Sequence, residues 1–267
     1  MTSFSLNNNI MVSQEQIDHW NAALAKMGSP QEILAWSIAT FPHLFQTTAF
    51  GLTGLATIDM LSKLQTDSSS SITPLIFIDT LHHFPQTLSL LEKVEDRYYR
   101  PHGQQINVFK PLGLDSETEF AAKHGDFLWE REDTQYDYLV KAEPAHRAYK
   151  ELQVTAILTG RRKSQGGSRS TLRFVELDEL NGVLKINPLA NWDFPQVKAY
   201  IDANHVPYNE LLDLGYKSVG DYHSTVPVAD GEDERAGRWK GQAKTECGIH
   251  ETSRFAQFMH QKSEPQN

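Results

Sequence analysis

The segment PLIFID, residues 74–79, is an unbroken apolar run that ends on an acid. A strand wetted on one face alternates polar and apolar side chains. A run without polar members suits a strand covered on both faces, as in a parallel sheet between helical layers. Parallel neighbours need long crossovers, and the flanking chain supplies them. FQTTAF (45–50) reads as a strand that runs into GLTG and then into a helix, with Leu55, Ile58, Met60, Leu61 and Leu64 at helical spacing. A helix over 86–98 follows the central run. INVFK (106–110) and VTAILTG (154–160) are further strands, separated by helices near 116–124 and 144–152. The reading is an α/β fold with an open parallel sheet flanked by helices. Right-handed crossovers then bring GLTG, DTLHHFP and GRRKSQGGSR to one sheet edge, the edge where open sheets bind ligands.

Ser13 with Gln16 forms a capping box, and Ser29-Pro30-Gln31-Glu32 places a cap, a first-turn proline and an acid in order, so two helices are expected over 13–27 and 30–40. After residue 180, NGVLKINPLANW is a short strand leading to a proline turn, and DFPQVKAYIDAN is an amphipathic helix. Residues 214–245 show no sustained periodicity, and an irregular stretch of that length reads as a functional loop. IHETSRFAQFMHQK is expected to form a terminal helix with Phe255, Phe258 and Met259 on one side. The 267 residues divide into N-terminal helices (1–44), an α/β core (45–192) and a C-terminal part (193–267) within one domain.

Charge and cysteine usage narrow the function classes. A net charge of −9 gives no general attraction to polyanions, which argues against nucleic acid or a membrane surface as partner. No run of apolar residues is long enough to span a bilayer, and the start lacks a basic segment before an apolar core, so the expectation is a soluble, cytoplasmic chain. One cysteine, Cys247, excludes an internal disulfide, a four-thiolate zinc site and a cysteine-ligated iron–sulfur cluster within one chain. Local charge differs from the mean. Between Leu152 and Val175 stand Arg161, Arg162, Lys163, Arg169 and Arg173 with no acid. Such a cluster suits a small anion.

Two loops carry that suggestion further. TTAFGLTG (47–54) joins a strand to a helix, where backbone N–H groups attract anions and glycines allow close approach; a plain turn is the alternative. GRRKSQGGSRS (160–170) combines forked guanidinium donors with a Gly-Gly backbone, against the alternative of a solvated basic loop. Two anion-suited loops on one edge point to a nucleotide with more than one phosphate. Cys247 is either a buried small hydrophobe or a nucleophile. Gly248, His250 and the preceding Arg235, Arg238, Lys240 and Lys244 favour the second, because cations lower a thiol pKa toward a reactive thiolate. His82 and His83 are adjacent and diverge, which disfavours a metal pair; His223 is open between a functional and a loop residue, and His124 and His146 read as structural.

ECGIH (246–250), RAGRW (235–239), KAEPAHRA (141–148), GRRKSQGGSR (160–169), KINPLANW (185–192) and FIDTLHHFPQT (77–87) together resemble the thioredoxin-dependent 3'-phosphoadenylyl sulfate (PAPS) reductases of fungal type, over about residues 10–260. The resemblance implies an adenine nucleotide alpha hydrolase-like fold, one catalytic domain and a homodimer. It implies reduction of PAPS to sulfite and adenosine 3',5'-bisphosphate, with reduced thioredoxin as donor and no bound iron–sulfur cluster. The C-terminal segment, residues 232–267, is expected to be mobile, since Cys247 must reach the substrate in one step and a protein donor in the next, and Gly231, Gly237, Gly241 and Gly248 are positions able to absorb the backbone change. Cys247 matches the nucleophile, and Lys141, Arg235, Arg238 and His250 match groups around the sulfate. Substrate binding is expected from Thr47, Thr48, Phe50 and Gly51, from Asp79, Thr80 and Leu81, and from Gly160, Arg161, Arg162, Lys163, Ser168 and Arg169. Where relatives acting on adenylyl sulfate (APS) carry paired cluster cysteines, SVGDYHST stands here. Two rivals, an ATP-dependent nucleotidyl transferase and a non-catalytic nucleotide sensor, differ from the reductase in not needing Cys247.

Overall fold

The structure, a computed structural model, describes residues 3–65 and 71–241 together with Lys244, Glu246 and Phe255. In chain order the elements are β1 (Ser3–Ser5), β2 (Met11–Ser13), α1 (Gln14–Leu24), α2 (Pro30–Thr40), β3 (Leu44–Thr47), α3 (Leu52–Leu64), β4 (Leu75–Ile78), α4 (Pro85–Val94), β5 (Asn107–Phe109), α5 (Glu117–His124), α6 (Leu128–Arg131), α7 (Asp133–Asp137), α8 (Glu143–Glu151), β6 (Ala156–Leu158), β7 (Val175–Asp178), β8 (Val183–Ile186) and α9 (Phe194–Ala203). Ser13 Oγ accepts from Gln16 N, one half of the expected capping box, and Ser29 and Glu32 cap reciprocally.

Six strands form one sheet in the order β5-β4-β3-β6-β8-β7. Five run parallel, and β7 pairs antiparallel with β8 through Val175↔Ile186 and Leu177↔Leu184. The sheet is therefore mostly parallel, with one antiparallel edge strand beyond the expected set. Counting only the parallel strands, the spatial order is third, second, first, fourth, fifth. The chain reverses direction of travel across the sheet between β3 and β6, and there the crevice for a ligand opens.

Successive residues of the central strands part to opposite faces, as a strand's period of two requires. Leu75 and Phe77 of β4 join Leu44, Leu158, Leu184 and Ile186 in the larger core under α1, α2, α3 and α9. Ile76 and Ile78 join Phe45, Ile157 and Val183 against Ala145, Ala148 and Tyr149 of α8. Each face is covered, which is why β4, Leu75–Ile78, has no polar member. At the N-terminal side, Trp20, Trp36 and Phe41 meet edge to face with centroids 5.3–6.0 Å apart. The expected 86–98 helix is α4 followed by a π-helical turn over Glu95–Tyr99.

Residues 210–241 have two short 3₁₀ stretches, at Glu210–Leu214 and Tyr222–Ser224, and are otherwise irregular, as the composition of 214–245 suggested. They are nonetheless tied down: Val226 N donates to Gly237 O at 2.9 Å and Trp239 N to Ser224 O at 3.0 Å. Gly237, one of the glycines expected to flex, is also closely packed, since a Cβ there would lie 2.0 Å from Val226 O. Phe255 is buried against Tyr138 and Ala142. The rest of the expected terminal helix, including Phe258 and Met259, lies outside the described residues, as do Cys247, Gly248 and His250.

Candidate active site

β3 delivers the chain to the crevice at Thr47. Phe50 then takes a left-handed backbone (φ 58°), and its side chain turns into the core to stack on Phe77 at 5.1 Å. Of the expected substrate residues, Phe50 thus faces away from the cleft. Gly51 is the N-cap of α3 and has no side chain to satisfy the first-turn N–H groups, which leaves them to other acceptors. Gly54, one turn in, has Thr48 packed on it: a Cβ would stand 2.1 Å from Thr48 Oγ1. Across the crevice Gly160 follows β6, and a Cβ there would come to 3.3 Å from Gly54 N. Both glycines serve the approach of α3 to the loops around it.

The basic loop after β6 looks different in space than along the chain. Arg161 Nη2 pairs with Glu176 of β7 at 2.5 Å, and Arg173 pairs with Asp18 of α1 at 2.6 Å. Arg162 is buried and fully engaged: Nε donates to Thr53 Oγ1 at 2.8 Å, Nη1 to Ser164 Oγ at 2.7 Å, and Nη2 to both carboxylate oxygens of Glu234 at 2.6 Å. Arg169 donates from Nε and Nη2 to the two oxygens of Glu246, each at 2.6 Å, and from Nη1 to Gln165. The expectation of an acid-free cluster with surplus cations is therefore corrected. Its acids arrive from Glu176, just past the stretch on β7, and from distant parts of the chain, Asp18 of α1 and Glu234 and Glu246 near the C-terminus. Lys163 points to Asn191 Oδ1 at 2.8 Å on the surface, outside the cleft.

Lys141 sits on a π-helical turn over Tyr138–Ala142, nearly buried between two carboxylates, Asp137 Oδ1 at 2.9 Å and Asp221 Oδ2 at 2.7 Å. Asp221 also accepts from Thr80 Oγ1 at 2.6 Å and Tyr136 OH at 3.3 Å. Burial alone would raise the Asp221 pKa, yet Lys141, with His83 and His223, outweighs it and holds the carboxyl far below its ordinary value. Lys244 extends the network, contacting Asp133 at 2.8 Å and Asp137 at 2.5 Å. His223 Nε2 meets Tyr136 OH at 2.9 Å, and its ring stacks on Trp129 at 4.2 Å and 8°. Burial, opposed by Asp221 and assisted by Lys141, lowers the His223 pKa to about 4, so the imidazole is neutral at pH 7. His82 and His83 do diverge: His82 is enclosed by Phe120, Trp129 and Tyr136, whereas His83 lies on Phe77 and bonds Ile78 O at 3.0 Å.

Three adjoining hollows make one cleft along this edge. The first is bounded by Thr47, Thr48, Gly51, Gly160, Arg161 and Arg162, the second by Thr80, Lys141, Asp221, Arg235, Arg238 and Trp239, and the third by Ser168, Arg169, Lys244 and Glu246. The structure thus brings together most of the expected substrate residues with Lys141, Arg235 and Arg238. Asp79 and Leu81 stand beside the cleft in the turn after β4, where Asp79 Oδ1 accepts from Leu81 N at 2.9 Å and Leu81 packs toward Phe120 and Tyr136. Sequence reading missed Asp221, Glu234, Lys217 and Trp239. Only Trp239 had a local signal, its place within a run of cations. The two catalytic expectations nearest the reaction, Cys247 and His250, fall outside the described residues, and Glu246 is the described residue next to Cys247.

A mostly parallel sheet with a cationic cleft at its switch point defines a nucleotide-binding type of α/β protein. Residues 43–227 match the phosphoadenosine phosphosulfate reductase domain. The chain is 69% identical over 261 residues to the phosphoadenosine phosphosulfate reductase of Saccharomyces cerevisiae, covering 98% of this chain and 99% of that one. The crystal structure of the PAPS reductase from Candida auris, a phosphate complex, matches with a TM-score of 0.72 at 59% identity, over 81% of this chain and 99% of that one. At 38% identity over 240 residues it is also similar to an adenosine 5'-phosphosulfate reductase of Halalkalibacterium halodurans, over 89% of this chain and 98% of that one. The chain belongs to the phosphoadenosine phosphosulfate reductase family and is an enzyme, an oxidoreductase of the fungal type.

Proposed function

We propose that this enzyme reduces PAPS to sulfite and adenosine 3',5'-bisphosphate, as a step of sulfate assimilation toward cysteine and methionine. The Cys247 thiolate attacks the sulfur of the sulfo group. The bond from that sulfur to the nucleotide oxygen breaks, the nucleotide leaves with the electron pair, and Cys247 carries an S-sulfo group. A thiolate of reduced thioredoxin then displaces sulfite to form a mixed disulfide. Its second thiol resolves that disulfide, so the two electrons come from the dithiol and Cys247 returns as a thiolate. Thioredoxin is the donor because the chain has a single cysteine and no resolving partner of its own. The whole chain acts as one cytoplasmic catalytic domain, as a homodimer, without an iron–sulfur cluster.

The observation that carries this reading is the convergence of Lys141, Arg235, Arg238 and the Thr47–Gly51 turn on one cleft. Two anionic reactants must meet there, and fixed cations in a partly dry site offset their repulsion. The name of the 69% identical relative supports PAPS over APS. One lost charge-assisted contact to a 3'-phosphate corresponds to about 10 to 150-fold in specificity. Sulfite release measured with each nucleotide and reduced thioredoxin tests the choice: a kcat/KM for PAPS at least about tenfold above that for APS is expected, and equal values would reject it.

A further inference from the structure

The cations that border the first hollow of the cleft are Arg161, Arg162, Arg169, Lys217 and Arg235. Every arginine among them has a carboxylate against it: Glu176 for Arg161, Glu234 for Arg162, and Glu246 for Arg169 and Arg235. A carboxylate in contact cancels much of the charge that it positions. Lys217 differs, because among the described residues its ammonium has no hydrogen-bond or ion-pair partner.

The backbone places this lysine instead. Lys217 N donates to Gly215 O at 3.1 Å and Tyr216 N to Leu211 O at 3.0 Å. Gly215 closes the preceding 3₁₀ turn with a left-handed backbone (φ 90°), and its carbonyl also accepts from Val228 N at 3.0 Å. Two residues beyond the lysine, Val219 O accepts from Arg238 Nη1 at 3.2 Å. The chain is thus tied on both sides of Lys217, whose half-buried side chain is left to a ligand.

Its place along the cleft identifies the ligand group. Residues 217–221 run from one hollow into the next: Lys217 and Ser218 border the first, Val219 both, and Gly220 and Asp221 the second. The second hollow has Lys141 and Arg238, the groups assigned above to the sulfo end of the substrate. The 5'-phosphate, joined to the sulfo group through one oxygen, then falls at the wall common to both hollows, Thr47, Thr48 and Ala49. Across the ribose, the 3'-phosphate falls in the first hollow. A phosphate monoester carries about −1.5 to −2 charge at pH 7, which an ammonium without a carboxylate suits.

We propose that Lys217 is a specificity-determining residue that binds the 3'-phosphate, the one group that PAPS has and APS lacks. This rests on the function proposed above.

Lys217→Met tests it by keeping the length of the side chain and removing its charge, with Lys217→Arg as the conservative variant. For Lys217→Met the expected Kd for adenosine 3',5'-bisphosphate rises about tenfold, while that for adenosine 5'-monophosphate stays within about twofold of the parent's. The ratio of kcat/KM for PAPS to that for APS falls about tenfold as well. The Tm of the nucleotide-free protein is constant, and Lys217→Arg retains most of the preference. Equal losses for the two nucleotides, or no loss for either, overturn the proposal. Should the unmodified enzyme release no sulfite from PAPS, the proposed function fails, and the two Kd values then decide the lysine separately. A loss confined to the bisphosphate supports it, and an equal or absent loss overturns it.

Discussion

Glu246 grips Arg169 through two contacts of 2.6 Å, Nε to Oε2 and Nη2 to Oε1, with both side chains less than a tenth exposed. Arg235 stands 3.5 Å from the same carboxylate. The residue directly before Cys247 is therefore tied to the basic loop after β6, and its carboxylate takes the position on Arg169 that an anionic ligand would seek.

Two opposite effects are expected from Glu246→Ala. Stability falls by about 3 kcal/mol, since removing one partner leaves a nearly buried guanidinium uncompensated. Nucleotide affinity is maintained or rises, because Arg169 becomes available, while sulfite release drops more than tenfold as the tie next to Cys247 is lost. Denaturant unfolding, calorimetric titration with adenosine 3',5'-bisphosphate and a sulfite assay separate these. A parallel loss of affinity and turnover would contradict the assignment.

Gly54→Ala is expected to cost about 1–3 kcal/mol, because the new methyl would meet Thr48 Oγ1 at 2.1 Å and overpack the junction of β3 and α3. Thr48 Oγ1 accepts from Phe50 N at 3.0 Å, so displacing it also disturbs the turn before α3. Nucleotide Kd should weaken together with the unfolding free energy. Unchanged values for both would show that the turn tolerates the side chain.

The pH dependence follows from His223. Its folded pKa, about 4, lies below the unfolded value near 6.5, with burial as the main cause. Between those values the unfolded chain binds more protons. Stability from this group is complete above pH 6.5, declines as pH falls toward 4, and changes no further below. Asp221 stays ionised through that window, because Lys141 holds its pKa down against burial. Tm is expected to fall from pH 7 to pH 5, and His223→Gln should flatten the fall. An equal fall in the variant would place the titration elsewhere.

How much of this was legible in the sequence depended on the range of the forces involved. Burial of most strand positions is a local pattern, so β3, β4, β6 and β8 were readable, and with them the loops that form the cleft; the edge strand β5, with Val108 exposed, was readable from its apolar composition alone. β7 escaped because VELD carries two acids, one of which, Asp178, is buried only by virtue of Lys185 at 2.5 Å on the neighbouring strand. The same blindness affected the basic loop. Counting charges along residues 152–175 cannot see Glu176, Glu234 or Glu246, whose carboxylates reach those arginines only once the chain has folded. Lys141 was found through its motif, yet Asp221, eighty positions on, gave no signal of its own. Glycine marks a need for space without saying for what: Gly54 reads in the sequence as room for a ligand, and in the structure both it and Gly237 make close contacts within the protein.

The most direct measurement of the central claim is a single-turnover reaction of the enzyme with PAPS in the absence of any thiol reductant, followed by intact and peptide mass spectrometry. The account predicts release of about one equivalent of adenosine 3',5'-bisphosphate per chain, with a sulfo group on Cys247 and free sulfite appearing only after reduced thioredoxin is added. Cys247→Ser should release neither product while binding the nucleotide as the parent enzyme does. Nucleotide release without modification of Cys247, or sulfite formation by the serine variant, would contradict it.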